Sequence, residues 1–246
     1  EYIRRFNNFV FFSPHLDDAV LSCGSLLLLL KKLRKQVTVV TIFTKVTSPP
    51  YSQQAEEFLD ACGYDKAKEL FLDRIKEDSK AMEYLGAKYI YWDFIDAAWR
   101  KKENNGFVYK NSREQFSGRV AKSDLPLLDD LRLKIEKFIN RHKRHKPPTF
   151  YLGPLGIGGH ADHLLVRDTL MQLKIPKLFW EDYPYNNIWT NKMRFLEILK
   201  YKLLFEEKWS EEKTQMIKMY ETQMLIIFPE NIIPKRKEKY YTSNRG

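Results

Sequence analysis

Apolar residues along this chain fall in short blocks separated by amphipathic stretches. Residues 9–13 (FVFFS) make a brief apolar run stopped by Pro14, the pattern of a buried strand. Residues 19–36 then read as a helix rich in Ala, Leu and Lys. Lys31, Lys32, Arg34 and Lys35 sit at its end, where the helix dipole favours cations. Residues 37–44 (VTVVTIFT) are rich in β-branched side chains and predict a second strand. Strand, helix and strand in that order make a βαβ unit, which implies a parallel sheet.

The alternation continues. Residues 54–85 have helical character with a break near Gly63, Gly86 is a helix stop, and 88–92 (KYIYW) predict a third strand. Residues 93–122 have weak periodicity, with Asn104-Asn105-Gly106 and Gly118, and read as an inserted loop region. A helix over 124–140, a strand over 149–152, a helix over 161–173 and a strand over 177–180 follow. From Thr190 onward the pattern reads as helical and amphipathic, turning basic at Pro234-Lys-Arg-Lys. The expected fold is α/β: a Rossmann-like, doubly wound, mostly parallel sheet with helices on both faces. The expected organisation is one domain over 1–246, with an inserted loop region at about 93–123 and a helical, basic C-terminal segment at about 190–246. In such sheets the chemistry sits at the carboxyl ends of the strands.

Composition narrows the classes. With 246 residues and 43% hydrophobic residues the chain can bury a real core, and 14% aromatics argue against disorder. The apolar run 26–30 ends at Lys31-Lys32 and is far shorter than a membrane span, so a buried core helix is expected there. Two cysteines, Cys23 and Cys62, make no disulfide scaffold and favour a reducing compartment. A cytoplasmic location is therefore expected, although a sequence opening Glu-Tyr-Ile-Arg-Arg without Met also suits a processed chain. The net charge of +10 makes an anionic partner plausible without choosing one, and the basic C-terminus is where an anionic surface contact would fall. Nothing points clearly to nucleic acid. The glycine-rich stretch 153–159 lacks the Lys-Ser/Thr of a phosphate loop and is expected to let backbone approach a pocket closely.

The chemistry lies in three of the five histidines. His142 and His145 belong to a basic stretch that reads as solvated helix end. The others fall in two turns, Pro14-His15-Leu16-Asp17-Asp18 after the first strand and Gly159-His160-Ala161-Asp162-His163 after the fourth. Each sits at a strand's carboxyl end, and each pairs metal-ligand residue types at i, i+3. Zinc takes imidazole and carboxylate, and a catalytic site leaves one position open for water. Three ligands and a base can be drawn from this set. A carboxylate beside the ligands would accept a proton, and a histidine opposite would stabilise an oxyanion or protonate a leaving group. Asp17 or Asp18 alone could equally cap the helix that follows; the second turn tips the reading to a metal.

The two stretches SPHLDDAVLSCG (13–24) and GIGGHADHLLVR (156–167) resemble the zinc-dependent N-acetylglucosamine deacetylases of the PIG-L/LmbE-like family. Arg74-x-x-Glu77 leading to Leu85-Gly86, Glu181-Asp-Tyr-Pro-Tyr185, and Lys213 through Tyr220-x-Thr-Gln223 agree with that resemblance. It implies that His15, Asp18 and His163 bind Zn2+ (or another divalent metal). It also implies that Asp17 is the general base, and that His160 is the acid and oxyanion stabiliser, oriented by Asp162. Arg74 and Asp96 would contact substrate, although Arg74 also suits a surface helix, paired with Glu77 or Asp78. Leu16 stands where the family's turn usually has proline, which puts the rigidity of the turn in question more than the catalysis.

The implied function is zinc-dependent removal of an N-acetyl group from an amino sugar or glycoconjugate. The alternatives are a non-catalytic sugar or nucleic-acid binding module on the same scaffold, and a deacylase of a non-sugar amide. The substrate-recognising loops, 47–53 and 93–122, carry no readable motif, and oligomeric state is not legible.

Overall fold

The computed structural model describes residues 2–143, 148–185 and 201–243. After a four-residue helix α1 (Tyr2–Arg5), strand β1 (Asn8–Ser13) runs through the middle of the sheet, and its six residues are all buried. Alternate side chains feed two different cores. Phe9 and Phe11 pack on one face, Val10 and Phe12 on the other, so β1 needs helices on both sides.

Helix α2 (Asp18–Lys32) leaves β1 and leads to β2 (Gln36–Lys45), which pairs in parallel with β1 from Asn8↔Gln36 to Ser13↔Thr41. The apolar run in α2 is covered by the sheet on one side and by the helix Glu211–Ile217 on the other, as a core helix should be. Helices α3 (Gln53–Cys62) and α4 (Ala67–Leu85) follow. Gly63 and Gly86 end them at φ 75° and 65°, left-handed conformations that suit glycine. Strand β3 (Lys88–Ile95) pairs with β2.

Past β3 the inserted region is mostly irregular, with a 3₁₀ turn at Ala97–Trp99 and a short helix α5 (Ser112–Gln115). Helix α6 (Leu125–Lys143), strand β4 (Thr149–Pro154), helix α7 (Ala161–Gln172) and strand β5 (Lys177–Trp180) complete the α/β pattern. Helices α6 and α7 cover the face opposite α2, through Leu131, Ile135, Leu165 and Leu170. The basic stretch at 141–145 lies at the end of α6, and its residues 144 and 145 fall outside the described residues.

The C-terminal expectation requires correction. In place of a continuous helical segment, strands β6 (Tyr201–Glu207) and β7 (Glu238–Ser243) flank the short helices Glu211–Ile217 and Glu221–Ile227. Residues 190–200 lie outside the described residues. Strand β7 runs antiparallel to β5 and β6 antiparallel to β7, giving the order β3-β2-β1-β4-β5-β7-β6. The edge of β5 thereby finds backbone partners that the helical reading would have left open. The basic tail is pinned as well: Lys235, Lys237 and Lys239 pair with Glu211, Glu206 and Glu181 at 2.6, 2.9 and 3.3 Å.

Strand order turns back between β1 and β4, since β1 is followed by β2 on one side while β4 and β5 extend the other. A crevice opens at such a switch point, at the carboxyl ends of the strands. The two histidine turns leave the sheet there.

Candidate metal centre and active site

Asp17 sits at the cap position of α2 with φ 142° and ψ −36°, yet its side chain makes no capping bond. Backbone strain at a non-glycine residue persists only where its surroundings enforce it. Ser13 does the capping instead: its Oγ accepts from the Ala19 N–H at 3.1 Å and donates to the His15 carbonyl at 2.8 Å. Asp17 is thereby released into the crevice. Leu16, in the position of the family's proline, is 1% exposed and packs with Leu59, Phe71 and Trp99. Apolar burial supplies the rigidity that a proline ring would.

Asp18 Oδ2 is the point of convergence. It accepts from the His15 backbone N–H at 2.9 Å, and it lies 3.1 Å from His15 Nδ1 and 3.2 Å from His163 Nε2. A tetrahedral ion with bonds of about 2.0–2.1 Å sets its ligand atoms about 3.3 Å apart, close to these separations. His163 Nε2 is buried and has no hydrogen-bond partner among the described residues. Two imidazoles and a carboxylate, one of them carrying an orphaned ring nitrogen, fit a divalent ion of the zinc type.

The second turn is shaped by glycine. Gly159 has φ +73°, and a Cβ there would lie 2.8 Å from the Gly118 nitrogen, so the turn runs backbone against backbone with the inserted loop. His160 caps α7, its Nδ1 accepting from the Asp162 N–H at 3.1 Å. One turn on, His163 Nδ1 meets Asp182 Oδ1 at 2.7 Å, while Asp182 Oδ2 accepts from the Ile157 N–H at 2.8 Å.

Asp162 departs from the expected arrangement. Its carboxylate does not reach the His160 ring; it holds His15 Nε2 at 3.0 Å, accepts from the Ala97 N–H at 2.9 Å and pairs with Arg100. Its tie to His160 is the backbone N–H alone. The two-residue offset aims the carboxylate across the crevice.

Arg74 is buried, not a surface partner of Glu77 or Asp78. Its Nη2 donates to the Leu16 carbonyl at 3.2 Å and lies 3.4 Å from Asp17 Oδ2, with the guanidinium over the rings of Phe58 and Phe71. Glu77 is engaged by Thr222, and Asp78 by Tyr220 and Tyr91. Asp96 Oδ1 takes the Ala98 N–H, and its Oδ2 lies 3.5 Å from His15 Nε2.

Burial dominates the electrostatics. It pushes the Asp17 carboxyl up, and with Asp18 beside it outweighs the pull of Arg74 and His15, reaching about 7. Burial pulls His160 well below the usual imidazole range, and the charge of His15 adds to that. His163 resists burial because Asp18 and Asp182 raise it to about 9. Asp162 is driven the other way: burial opposes ionisation, but Arg100 and His15 hold the group well below the carboxylate range. Protonatable groups driven apart within one crevice mark a reactive site.

All eight residues expected from the sequence meet here, lining or backing a cavity of about 390 Å³. Five positions were given no role from the sequence. Ser13, the last residue of β1, and Asp182, two residues past β5, stand in the stretches 13–24 and 181–185 that carry the resemblance. Arg100, Gln115 and Phe116 come from the inserted region, where no periodicity marks them. Tyr185, the last residue of the 181–185 stretch, packs edge-on against His163 at 5.6 Å, while residues 186–189 lie outside the described residues.

Comparison with known proteins identifies the family and the fold. The family model described as PIG-L, GlcNAc-PI de-N-acetylase, matches residues 10–174. A 2'-N-acetylparomamine deacetylase of Niallia circulans is 30% identical over 238 residues, covering 90% of this chain and 82% of its own. The structure of the A40926 pseudoaglycone deacetylase Dbv21 is similar at 27% identity and TM-score 0.71, covering 97% of this chain and 98% of its own. A deacetylase from teicoplanin biosynthesis shares the fold at TM-score 0.75 and 23% identity, covering 97% of this chain and 100% of its own. The chain belongs to the PIG-L family of GlcNAc-PI de-N-acetylases and is an amide-hydrolysing deacetylase.

Proposed function

We propose that the protein removes the acetyl group from the nitrogen of an amino sugar or glycoconjugate, releasing acetate and a free amine, with zinc as its metal. The observation that carries this reading is the convergence of His15 Nδ1 and His163 Nε2 on Asp18 Oδ2, with the Asp17 carboxylate and the His160 ring on the same crevice. The names of the relatives supply the substrate class: 2'-N-acetylparomamine for one, the A40926 pseudoaglycone for another.

His15, Asp18 and His163 would hold the ion, which when bound supplies Lewis acidity toward the amide carbonyl and toward water. Asp182 accepts a hydrogen bond from His163 Nδ1–H, leaving the Nε2 lone pair free for the ion. Asp162 does the corresponding work at His15 Nε2. Asp17 accepts the proton of the attacking water at a carboxylate oxygen, steadied by Arg74. His160 presents Nε2–H to the oxyanion and stays neutral, because its Nδ1 already accepts from the Asp162 N–H, and the proton that Asp17 took from water passes to the departing nitrogen. Trp99, Phe116 and Tyr185 line the cavity with Asp96 and Arg74; the three rings would enclose the acyl group and exclude bulk water, and Asp96 and Arg74 would receive sugar hydroxyls.

The test is metal analysis of the purified protein followed by chelation and re-addition, with amine release measured on a panel of N-acetylated sugars. Zinc bound at one per chain, with activity lost and restored in step, is expected. Amine release that survives complete metal removal would overturn the reading.

A further inference from the structure

The Gln115 carboxamide nitrogen is placed 2.6 Å from His160 Nε2, with its Oε1 turned away, and the residue is 4% exposed. Gln115 belongs to the inserted region, at the end of α5, and it lines the cavity beside Phe116, whose ring meets the His160 ring edge-on at 4.8 Å. Two constraints fix the hydrogens. The Asp162 N–H points at Nδ1, so Nδ1 must offer a lone pair, and the ring proton resides on Nε2. The carboxamide atom facing Nε2 must then be an acceptor. A carboxamide turned by half a rotation has the same shape, and its hydrogen-bond partners decide which end faces which. The far end of the group is buried and has no partner among the described residues, so nothing there opposes the placement.

We propose that Gln115 is a positioning residue for His160: its Oε1 accepts the Nε2 proton in the free enzyme, holds the ring in plane, and is replaced there by the acyl oxygen of the substrate. The resting site thus keeps Nε2–H aimed at the place where negative charge develops. This rests on His160 being the oxyanion donor, as proposed above.

The experiment uses the metal-loaded enzyme, 15N-labelled at histidine, together with the variants Gln115→Leu, Gln115→Glu and His160→Ala. In the wild type the His160 signals should report a proton on Nε2; a proton on Nδ1 overturns the proposal whatever the variants do. Gln115→Leu, which removes the acceptor at similar size, should lower kcat by about tenfold with KM within about threefold, part of what an oxyanion donor supplies. Its His160 signals should broaden between forms, with bound metal unchanged. Gln115→Glu keeps an oxygen in place and should recover most of kcat. Equal kcat in Gln115→Leu and wild type, or equal losses in both Gln115 variants with unchanged ring signals, overturns the proposal. An active His160→Ala enzyme would instead remove the donor assignment, and the Gln115 proposal with it.

Discussion

His163 Nδ1 and Asp182 Oδ1 lie 2.7 Å apart at the base of the crevice, with Asp182 fully buried. The carboxylate fixes which ring nitrogen carries the proton, so the opposite nitrogen faces Asp18 as a lone pair. Asp182→Asn keeps the shape and weakens that bias. Metal affinity should fall by about 10–100-fold, measured by competition with a chromophoric chelator. An affinity within twofold of wild type would separate Asp182 from the metal centre.

Asp17 and His163 should fail in different ways. Asp17→Asn should bind metal at the wild-type level while kcat drops by about 10²–10⁴-fold, since the proton acceptor is gone. His163→Ala should lose the ion itself, which elemental analysis reads directly. A fully active Asp17→Asn enzyme would refute the general-base assignment.

Lys213 and Glu238 form an ion pair at 2.7 Å, 1% and 2% exposed at their side chains. Glu238 also accepts from the Ser25 and Leu26 N–H groups inside α2 and from Tyr240 Oη, tying β7 to the central helix. Lys213→Met leaves a buried carboxylate uncompensated and should cost about 3–5 kcal/mol of stability. Adding Glu238→Gln should recover part of the loss, because the stranded charge disappears. Denaturant unfolding of both variants checks this, and a Lys213→Met protein as stable as wild type would contradict it.

Burial raises the Asp78 carboxyl to about 6, against the pull of hydrogen bonds from Tyr220 and Tyr91. The folded state therefore holds this proton at a pH where the unfolded chain has released it. The contribution is complete below about pH 4, the unfolded carboxyl range, and is lost as pH rises through about 6. Asp78→Asn should flatten the fall in stability over that interval. A wild-type profile that does not fall between pH 4 and 6, or an unchanged one in the variant, would show the group to be solvated.

The five parallel strands, their helices and both histidine turns were legible along the chain because they obey local rules. Strands such as FVFFS and VTVVTIFT carry β-branched or continuous apolar runs, helix ends carry Gly63 and Gly86, and metal-ligand residue types recur at i, i+3. The C-terminal strands were misread because β6 and β7 take their strand character from pairing with β5 and with each other, a partner choice no local pattern encodes. The same holds in the crevice. Residue types nominated the two turns and the resemblance picked His15, Asp18 and His163 from them, but the turn-back of strand order between β1 and β4 brought them to one oxygen. Only folding could aim Asp162 at His15 instead of His160, or deliver Asp182, Arg100 and Gln115 from loops without periodicity. A side chain's chemistry is local, whereas its partner is fixed by the whole sheet.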